Sequence, residues 1–188
     1  MKHLWLVRHG KAARDAPGGA GDEQRPLTER GRRDATALGR RLAAGTGVFG
    51  IDAPVPEVAL CSAAVRTGQT AELVNRAMDE GLPVEAFRSL YGAVPETVLR
   101  YVREIDDGVR SALVVGHNPT MYELAWQLVG PAATPDDPED GAGADDRSVL
   151  RSHGFPTCAL AVVALDIVSW EECVEGCGSL AGVFSPPY

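Results

Sequence analysis

Short apolar runs alternate along the chain with stretches in which apolar residues recur at every third or fourth position. Runs of four to eight mostly apolar residues predict β-strands, at 2–7, 55–61, 84–90, 112–115, 158–165 and 180–184. The helical spacing, together with caps such as Thr28 and Pro95, predicts helices at 28–44, 63–80, 95–105 and 119–129. Strands and helices thus succeed each other through most of the chain.

This alternation predicts an α/β fold: a three-layer sandwich in which a mostly parallel sheet carries helices on both faces. The length of 188 residues suits a single domain over residues 1–188, with no spare length for a large cap domain. One stretch breaks the pattern. Residues 131–147 are rich in proline, alanine, glycine and aspartate, which predicts a flexible acidic loop on the surface.

Composition narrows the choice of partners and compartment. A net charge of −8 and a pI near 5.0 argue against a general binder of nucleic acid or of anionic membranes. The apolar run before Arg8 is only four residues long, too short for a signal peptide or a membrane span. The four cysteines are sparse, and Cys173 and Cys177 lack the usual spacing of a zinc site. Reduced thiols, and hence a cytoplasmic protein, are the simplest expectation.

Candidate chemistry lies where the predicted strands end. The first strand runs into Arg8-His9-Gly10, another runs into Gly116-His117-Asn118-Pro119, and Ser62 and Arg66 follow a third. In open α/β sheets, ligands bind beyond the carboxyl ends of the strands, so we expect His9, Ser62 and His117 to share one site. Histidines and arginines together are what a phosphate pocket with a histidine nucleophile needs. Gly10 is expected to let the backbone approach a ligand closely.

Four motifs, in this order, carry a family resemblance. They are Leu-Val-Arg-His-Gly at 6–10, Arg-Pro-Leu-Thr-Glu-Arg-Gly at 25–31, Cys-Ser-x3-Arg-Thr-x-Gln-Thr at 61–70 and Val-Gly-His-Asn-Pro at 115–119. The chain resembles the histidine phosphatase superfamily, which has the phosphoglycerate-mutase-like fold. Since no long insert separates the Arg66 and His117 segments, it is similar to the short, SixA-type phosphohistidine phosphatases. The resemblance covers nearly the whole chain.

The resemblance and the chemistry of the residues together suggest roles. His9 attacks phosphorus and carries a phosphohistidine intermediate. Arg8 and Arg66 offer planar forks that match phosphate oxygens, and both disfavour protonation of His9. His117 donates a hydrogen bond to the transferring phosphoryl group. Arg25 is a further phosphate ligand by resemblance, although a surface ion pair is an equally good interpretation of it.

The sequence leaves open which residue acts as the general acid of the reaction. Many members of the superfamily use a glutamate between the arginine and second-histidine motifs, and Glu96 is the nearest candidate. A glutamate in the first turn of a helix also stabilises the helix dipole, and that interpretation is the stronger one for Glu96. Lys11 is expected at the rim of the site. Asn118 is expected to orient the turn after its strand, although it could also contact substrate.

The sequence therefore predicts a phosphatase that needs neither metal nor cofactor. Its expected substrate is phosphorylated, and a phosphohistidine-bearing protein fits best. A phosphomonoesterase or mutase acting on a small metabolite is the alternative among enzymes. A binding module for phosphate or phosphoproteins without turnover is the alternative of another class. His3 and His153 have no motif around them and are expected to be structural.

Overall fold

The structure is a computed structural model that describes residues 1–45, 47–79, 81–130 and 146–188. Its strands are β1 Lys2–Arg8, β2 Val58–Ser62, β3 Val84–Phe87, β4 Ser111–Gly116, β5 Leu160–Leu165 and β6 Gly178–Phe184. Its helices are α1 Glu29–Ala43, α2 Val65–Ala77, α3 Pro95–Arg103, α4 Thr120–Leu128 and α5 Asp146–His153. The predicted acidic loop lies outside the described residues as far as residue 145.

The six strands form one sheet in the order β3-β2-β4-β1-β5-β6. The pairs β2–β3, β2–β4 and β1–β4 are parallel, whereas β5 pairs antiparallel with β1 and with β6. The predicted mostly parallel α/β sheet is confirmed, with an antiparallel extension on one side. The parallel part places the carboxyl ends of β1, β2 and β4 at one edge of the sheet.

Both faces of the sheet are covered by helices, as predicted. Side chains of a strand alternate between faces, and β1 shows the result: Leu4 and Leu6 join one core while Trp5 and Val7 join the other. Buried residues of α3, α4 and α5 pack in the first core, and those of α1 and α2 in the second. Since β1 is buried on both faces, the strand that ends at Arg8 is held firmly in the centre of the sheet.

A close backbone contact joins the end of β1 to helix α1. Thr28 caps the helix, its side chain accepting a hydrogen bond from the Gly31 amide. A Cβ on Gly31 would lie 2.3 Å from the Lys11 carbonyl oxygen, and one on Gly10 would lie 2.8 Å from the Gly31 carbonyl oxygen. The missing side chain of Gly10 thus makes room for α1, a packing reason for glycine that the sequence did not predict.

Helix α5 was not predicted from the sequence. Helix α5 begins at Asp146, so the last two residues of the stretch predicted as loop belong to a helix instead. Its apolar periodicity is short, with Leu150 as the fully buried apolar residue in its eight residues. A helix this short is stabilised by packing rather than by its own propensity, and such packing leaves a weak signal in the sequence.

Candidate active site

The three residues predicted at strand ends do come together. The His9 amide donates a 3.0 Å hydrogen bond to the Gly116 carbonyl at the end of β4. The His9 and His117 rings meet edge to face with centroids 5.2 Å apart. Ser62 Oγ, at the end of β2, lies 2.9 Å from His117 Nε2. Parallel pairing of β1 and β2 with β4 is what brings the three segments to one edge.

A cavity of about 490 Å³ opens at this edge of the sheet. Four of its lining side chains are basic and two are histidines, so it is strongly suited to an anion. The described residues that line it are Arg8, His9, Lys11, Ala12, Arg25, Arg66, Tyr91, Gly92, His117, Asn118 and Thr157. The cavity contains all four principal candidates, Arg8, His9, Arg66 and His117, and also the rim candidates Lys11 and Asn118.

The imidazole of His9 is held in one orientation. Its Nδ1 lies 2.7 Å from the Gly10 carbonyl oxygen, which can only accept a hydrogen bond, so the proton of a neutral ring sits on Nδ1. Nε2 then carries the free lone pair. Burial lowers the pKa of His9 to about 4, the Gly10 carbonyl opposes this, and Arg66, Arg8 and Arg25 lower it further. His9 is therefore neutral at pH 7.

His117 is also neutral at pH 7. Burial lowers its pKa to about 3, helped by His9 and Arg66 and opposed by Asp22. When Ser62 Oγ donates to Nε2, the proton of the neutral ring sits on Nδ1, which leaves His117 one N–H to donate to a ligand. Tyr91 packs edge to face on His117 with ring centroids 5.5 Å apart. The second histidine is thus positioned from two sides.

Arg8 is anchored through one nitrogen and leaves another without a partner. Its Nη1 donates to the Phe155 carbonyl at 3.1 Å, whereas its Nε is buried and has no hydrogen-bond partner among the described residues. The Phe155 carbonyl also accepts from Asn118 Nδ2 at 3.0 Å. Phe155 has a φ of +42°, a strained value for a side chain of this size. Strain of this kind persists where surrounding contacts demand it, here at the wall of the cavity.

Arg66 and Arg25 converge on a carboxylate that the sequence patterns did not single out. Asp22 accepts from Arg66 Nη2 at 2.9 Å and from Arg25 Nε at 2.7 Å, and Tyr91 donates to it at 2.8 Å. The hydrogen bond from Tyr91, with those of Arg66 and Arg25, lowers the pKa of Asp22 to about 2. Arg25 lines the cavity, as a phosphate ligand would, and it also forms an ion pair with Asp22. Both interpretations of Arg25, phosphate ligand and ion pair, therefore have support.

Glu96 is not brought to the site. It lies in the first turn of α3 behind Pro95, forms a 2.7 Å ion pair with Arg103, and its side chain is 66% exposed. It is absent from the described lining of the cavity. His3 is a buried residue of β1, and His153 lies at the end of α5 against Phe155. Neither belongs to the cavity lining, in line with the expected structural role.

Sequence reasoning missed Asp22, Tyr91 and Thr157. Asp22 lies in the glycine-rich stretch before α1, where no periodic pattern marks a residue. Tyr91 follows a short helical turn after β3. Its neighbour Gly92, with a φ of +66°, marks a turn and was the one available signal. These side chains reach the site through tertiary contacts rather than through motif spacing.

Within the ranges that the structure describes, no group of three or more histidine, cysteine, aspartate or glutamate side chains is arranged to hold a metal ion. Within the same ranges, no helix is both long and apolar enough to cross a membrane.

The chain belongs to the histidine phosphatase superfamily (branch 1), whose family profile matches residues 4–91. Within it the chain is of the SixA type, and it is accordingly a phosphatase, a hydrolase of phosphorylated substrates. It is 35% identical over 180 residues to an uncharacterized protein of Mycobacterium tuberculosis, covering 96% of this chain and 99% of that one. A SixA phosphohistidine phosphatase homolog of Haemophilus influenzae is 30% identical over 133 residues, 68% of this chain and 77% of the other.

Solved structures of SixA proteins have the same fold as this chain. A SixA-type chain from Nakamurella multipartitia superposes with a TM-score of 0.78 at 29% identity, covering 100% of this chain and 97% of that chain. A protein histidine phosphatase SixA in complex with tungstate gives a TM-score of 0.69 at 27% identity, covering 98% and 97%. The family resemblance of the four motifs and the predicted α/β fold are confirmed, and the described residues include no large cap domain.

Proposed function

We propose that the protein is a phosphohistidine phosphatase in which His9 takes the phosphoryl group from a phosphohistidine-bearing protein. The observation that carries the proposal is the orientation of His9 inside a basic cavity: Nδ1 faces the Gly10 carbonyl, which leaves the lone pair of Nε2 for attack on phosphorus. A nucleophile must be unprotonated, and burial among arginines keeps the pKa of His9 low enough for that.

The reaction takes two displacements at phosphorus. In the first, Nε2 of His9 forms a bond to phosphorus while the bond to the substrate nitrogen breaks, and the substrate ring, protonated on its other nitrogen, takes the bonding pair and leaves as neutral imidazole. In the second, water attacks the phosphorus on His9, the Nε2–P bond breaks, and inorganic phosphate departs with the protons of water shared between phosphate and solvent. Arg8, Arg66 and His117, with Arg25 as a further ligand, balance the charge of the phosphoryl oxygens in both steps.

The leaving group selects the substrate class. Cleavage of an alkyl phosphate expels a basic alkoxide and needs a proton donor, normally a carboxylic acid. The described residues lining the cavity include no carboxylate, and Glu96 is ion-paired to Arg103 instead. A phosphohistidine ring that is protonated on its other nitrogen leaves as neutral imidazole, which is far less basic than an alkoxide and needs no such help. These features favour phosphohistidine over sugar phosphates and phosphoserine.

Other parts of the proposal follow from charge and composition. The guanidinium groups of Arg8 and Arg66 supply the charge that a metal ion would otherwise supply, which supports a reaction without metal or other cofactor. Residues 1–188 are proposed to act as one domain. A cytoplasmic location is supported by the four free cysteines, and a protein partner rather than nucleic acid by the net charge of −8.

The nucleophile is tested by trapping. Replacing His9 with alanine removes the attacking nitrogen, and we expect the rate to fall at least about 1,000-fold, as for other covalent nucleophiles. Quenching turnover of a substrate labelled in its phosphoryl group should leave acid-labile label on the wild-type chain and none on H9A. Circular dichroism checks that H9A is folded. Label that persists on a folded H9A would place the nucleophile elsewhere.

Substrate choice is tested by comparing kcat/KM for a phosphohistidine protein, phosphoserine and phosphotyrosine peptides, and sugar phosphates. We expect the phosphohistidine protein to be preferred at least about tenfold, because its leaving group needs no acid. E96Q, assayed beside the wild type, should change phosphohistidine cleavage less than about twofold. A preference for a sugar phosphate that disappears in E96Q would identify a metabolite phosphatase with Glu96 as its acid. A folded chain that binds these ligands and turns none of them over would be a binding module.

A further inference from the structure

Asp22 forms several polar contacts with side chains that line the cavity, although no sequence motif singles it out. Its Oδ1 accepts from Arg25 Nε and pairs with Arg25 Nη2, both at 2.7 Å. Its Oδ2 accepts from Arg66 Nη2 at 2.9 Å and from Tyr91 Oη at 2.8 Å. The backbone carbonyl of Asp22 accepts from Arg66 Nη1 at 2.8 Å. One residue thus ties together three side chains from separate segments.

Asp22 lies next to the cavity, and its side chain is 49% exposed. Its partners Arg25, Arg66 and Tyr91 all line the cavity, whereas Asp22 is not part of the described lining. Its position suits a residue that holds the wall in place.

Asp22 occupies some of the hydrogen-bond donors of the Arg66 guanidinium group and leaves others free. Asp22 takes one hydrogen from each of Nη1 and Nη2. The Nε of Arg66 is buried and has no partner among the described residues. A guanidinium presents its five hydrogens in a rigid plane, so fixing the Nη1 and Nη2 side also fixes the direction of Nε–H. The Arg66 side chain is only 6% exposed, and its free donor is kept from water.

We propose that Asp22 is a positioning residue that holds Arg66, with Arg25 and Tyr91, so that the free donors of Arg66 point at the phosphoryl oxygens. This inference rests on the proposed function, because it concerns the phosphoryl pocket of that same site. The carboxylate keeps its charge through the working pH range, since its pKa lies at about 2. Small losses of orientation at a charge-stabilising donor are costly to a displacement reaction.

The test uses the full chain and D22N, which keeps the shape of the side chain and removes its charge. Because Arg66 contacts the phosphoryl group before and during transfer, D22N should raise both KM for an aryl phosphate and the inhibition constant of tungstate about tenfold, and lower kcat. The control is E23Q: Glu23 is the exposed neighbour in the same helical turn, and its loss of charge should change each constant less than twofold.

A merely structural role would give a different pattern. Partial unfolding lowers the active fraction, so apparent kcat would fall while KM and the tungstate constant stayed at their wild-type values, and this would overturn the inference. Unchanged constants in a folded D22N would do the same. Should D22N fail to fold, Y91F removes one Asp22 contact from the side of the cavity and should shift the tungstate constant in the same direction, about threefold.

A double-mutant cycle identifies the route of the effect. If Asp22 acts through Arg66, adding D22N to R66A should change the tungstate constant less than twofold, whereas the single change raises it about tenfold. A full tenfold effect of D22N in the R66A background would show that Asp22 acts elsewhere and would overturn the inference. A wild-type chain that binds neither tungstate nor phosphate would instead contradict the proposed function, and the inference would fall with it.

Discussion

His9 and His117 meet beside Arg8 and Arg66, and this neighbourhood determines their protonation. Two imidazolium ions with ring centroids 5.2 Å apart and two guanidinium groups in one cavity would repel each other. Burial and the neighbouring arginines keep both rings neutral, lowering the pKa of His9 to about 4 and that of His117 to about 3. A neutral His9 is a nucleophile, and a neutral His117 still carries one N–H to donate.

These values predict the titration of the two rings. In imidazole-nitrogen NMR spectra, we expect His9 to titrate near pH 4 and His117 lower still, both far below the ordinary value of about 6.5. R66A removes a positive charge that lowers both values, so both midpoints should rise. R33A, on an exposed part of α1, should leave them unchanged. A His9 midpoint near 6.5 in the wild type would contradict the described environment.

The low pKa values of His9 and His117 make the free energy of unfolding depend on pH. As pH falls from about 6.5 to about 4, His9 takes up a proton in the unfolded chain but not in the folded one, which lowers the free energy of unfolding. His117 acts in the same direction over its own, slightly wider range. Above pH 7 both states hold neutral rings, and neither histidine contributes to a pH dependence.

At the scale of elements, the site depends on how closely α1 approaches the loop after β1. The Gly10 amide donates to Thr70 Oγ1 of α2 at 3.1 Å, and Gly31 of α1 packs on the backbone of Lys11. The Lys11 carbonyl accepts from both the amide and the hydroxyl of Thr28. The segment that carries His9 is thus held between two helices on one face of the sheet.

A pair of glycine substitutions tests this contact. G31A would put a Cβ 2.3 Å from the Lys11 carbonyl, with backbone on both sides, so we expect a loss of about 1–3 kcal/mol in the free energy of unfolding. G68A is the matched control in α2: its Cβ would meet nothing within 4 Å, and alanine favours a helix, so stability should rise by about 0.5–1 kcal/mol. Denaturant unfolding measures both. Equal effects would show that the backbones are not in close contact.

At the scale of the whole molecule, charge is unevenly distributed. The chain carries a net charge of −8, yet Arg8, Lys11, Arg25 and Arg66 face one cavity at the carboxyl edge of the parallel strands. A single phosphoryl group would find converging donors in this cavity in spite of the net negative charge of the chain. The fold concentrates the positive charge where three strand ends meet.

This arrangement predicts metal-independent activity with competitive anion inhibition. Because guanidinium groups already balance the phosphoryl charge, dialysis against EDTA should leave kcat/KM unchanged, and tungstate should inhibit competitively. R66K, which keeps the charge but not the planar fork, should weaken tungstate binding about tenfold or more. A rate that disappears with EDTA and returns with added Mg²⁺ or Zn²⁺ would contradict the proposed mechanism.

The sequence by itself determined the layers, most of the elements and the principal site residues. Apolar periodicity follows directly from which face of a strand or helix is buried, so β1, β4, α1 and α3 were predicted nearly to their ends. His9, His117 and Ser62 were predictable as neighbours because parallel strands end at one edge of a sheet. Arg8 lies in the same short motif as His9, and Arg66 lies in the same short motif as Ser62.

Only the tertiary structure decided the remainder. The glycine-rich stretch before α1 brings Asp22 onto Arg66 and Tyr91, and no local pattern encodes contacts between such distant segments. Glu96, plausible by its place in the chain, turns to Arg103 because the first turn of α3 points it there. The contact of Gly10 with α1 likewise appears only in the folded structure. Local periodicity records burial, whereas the partners of a polar side chain depend on where the rest of the chain lies.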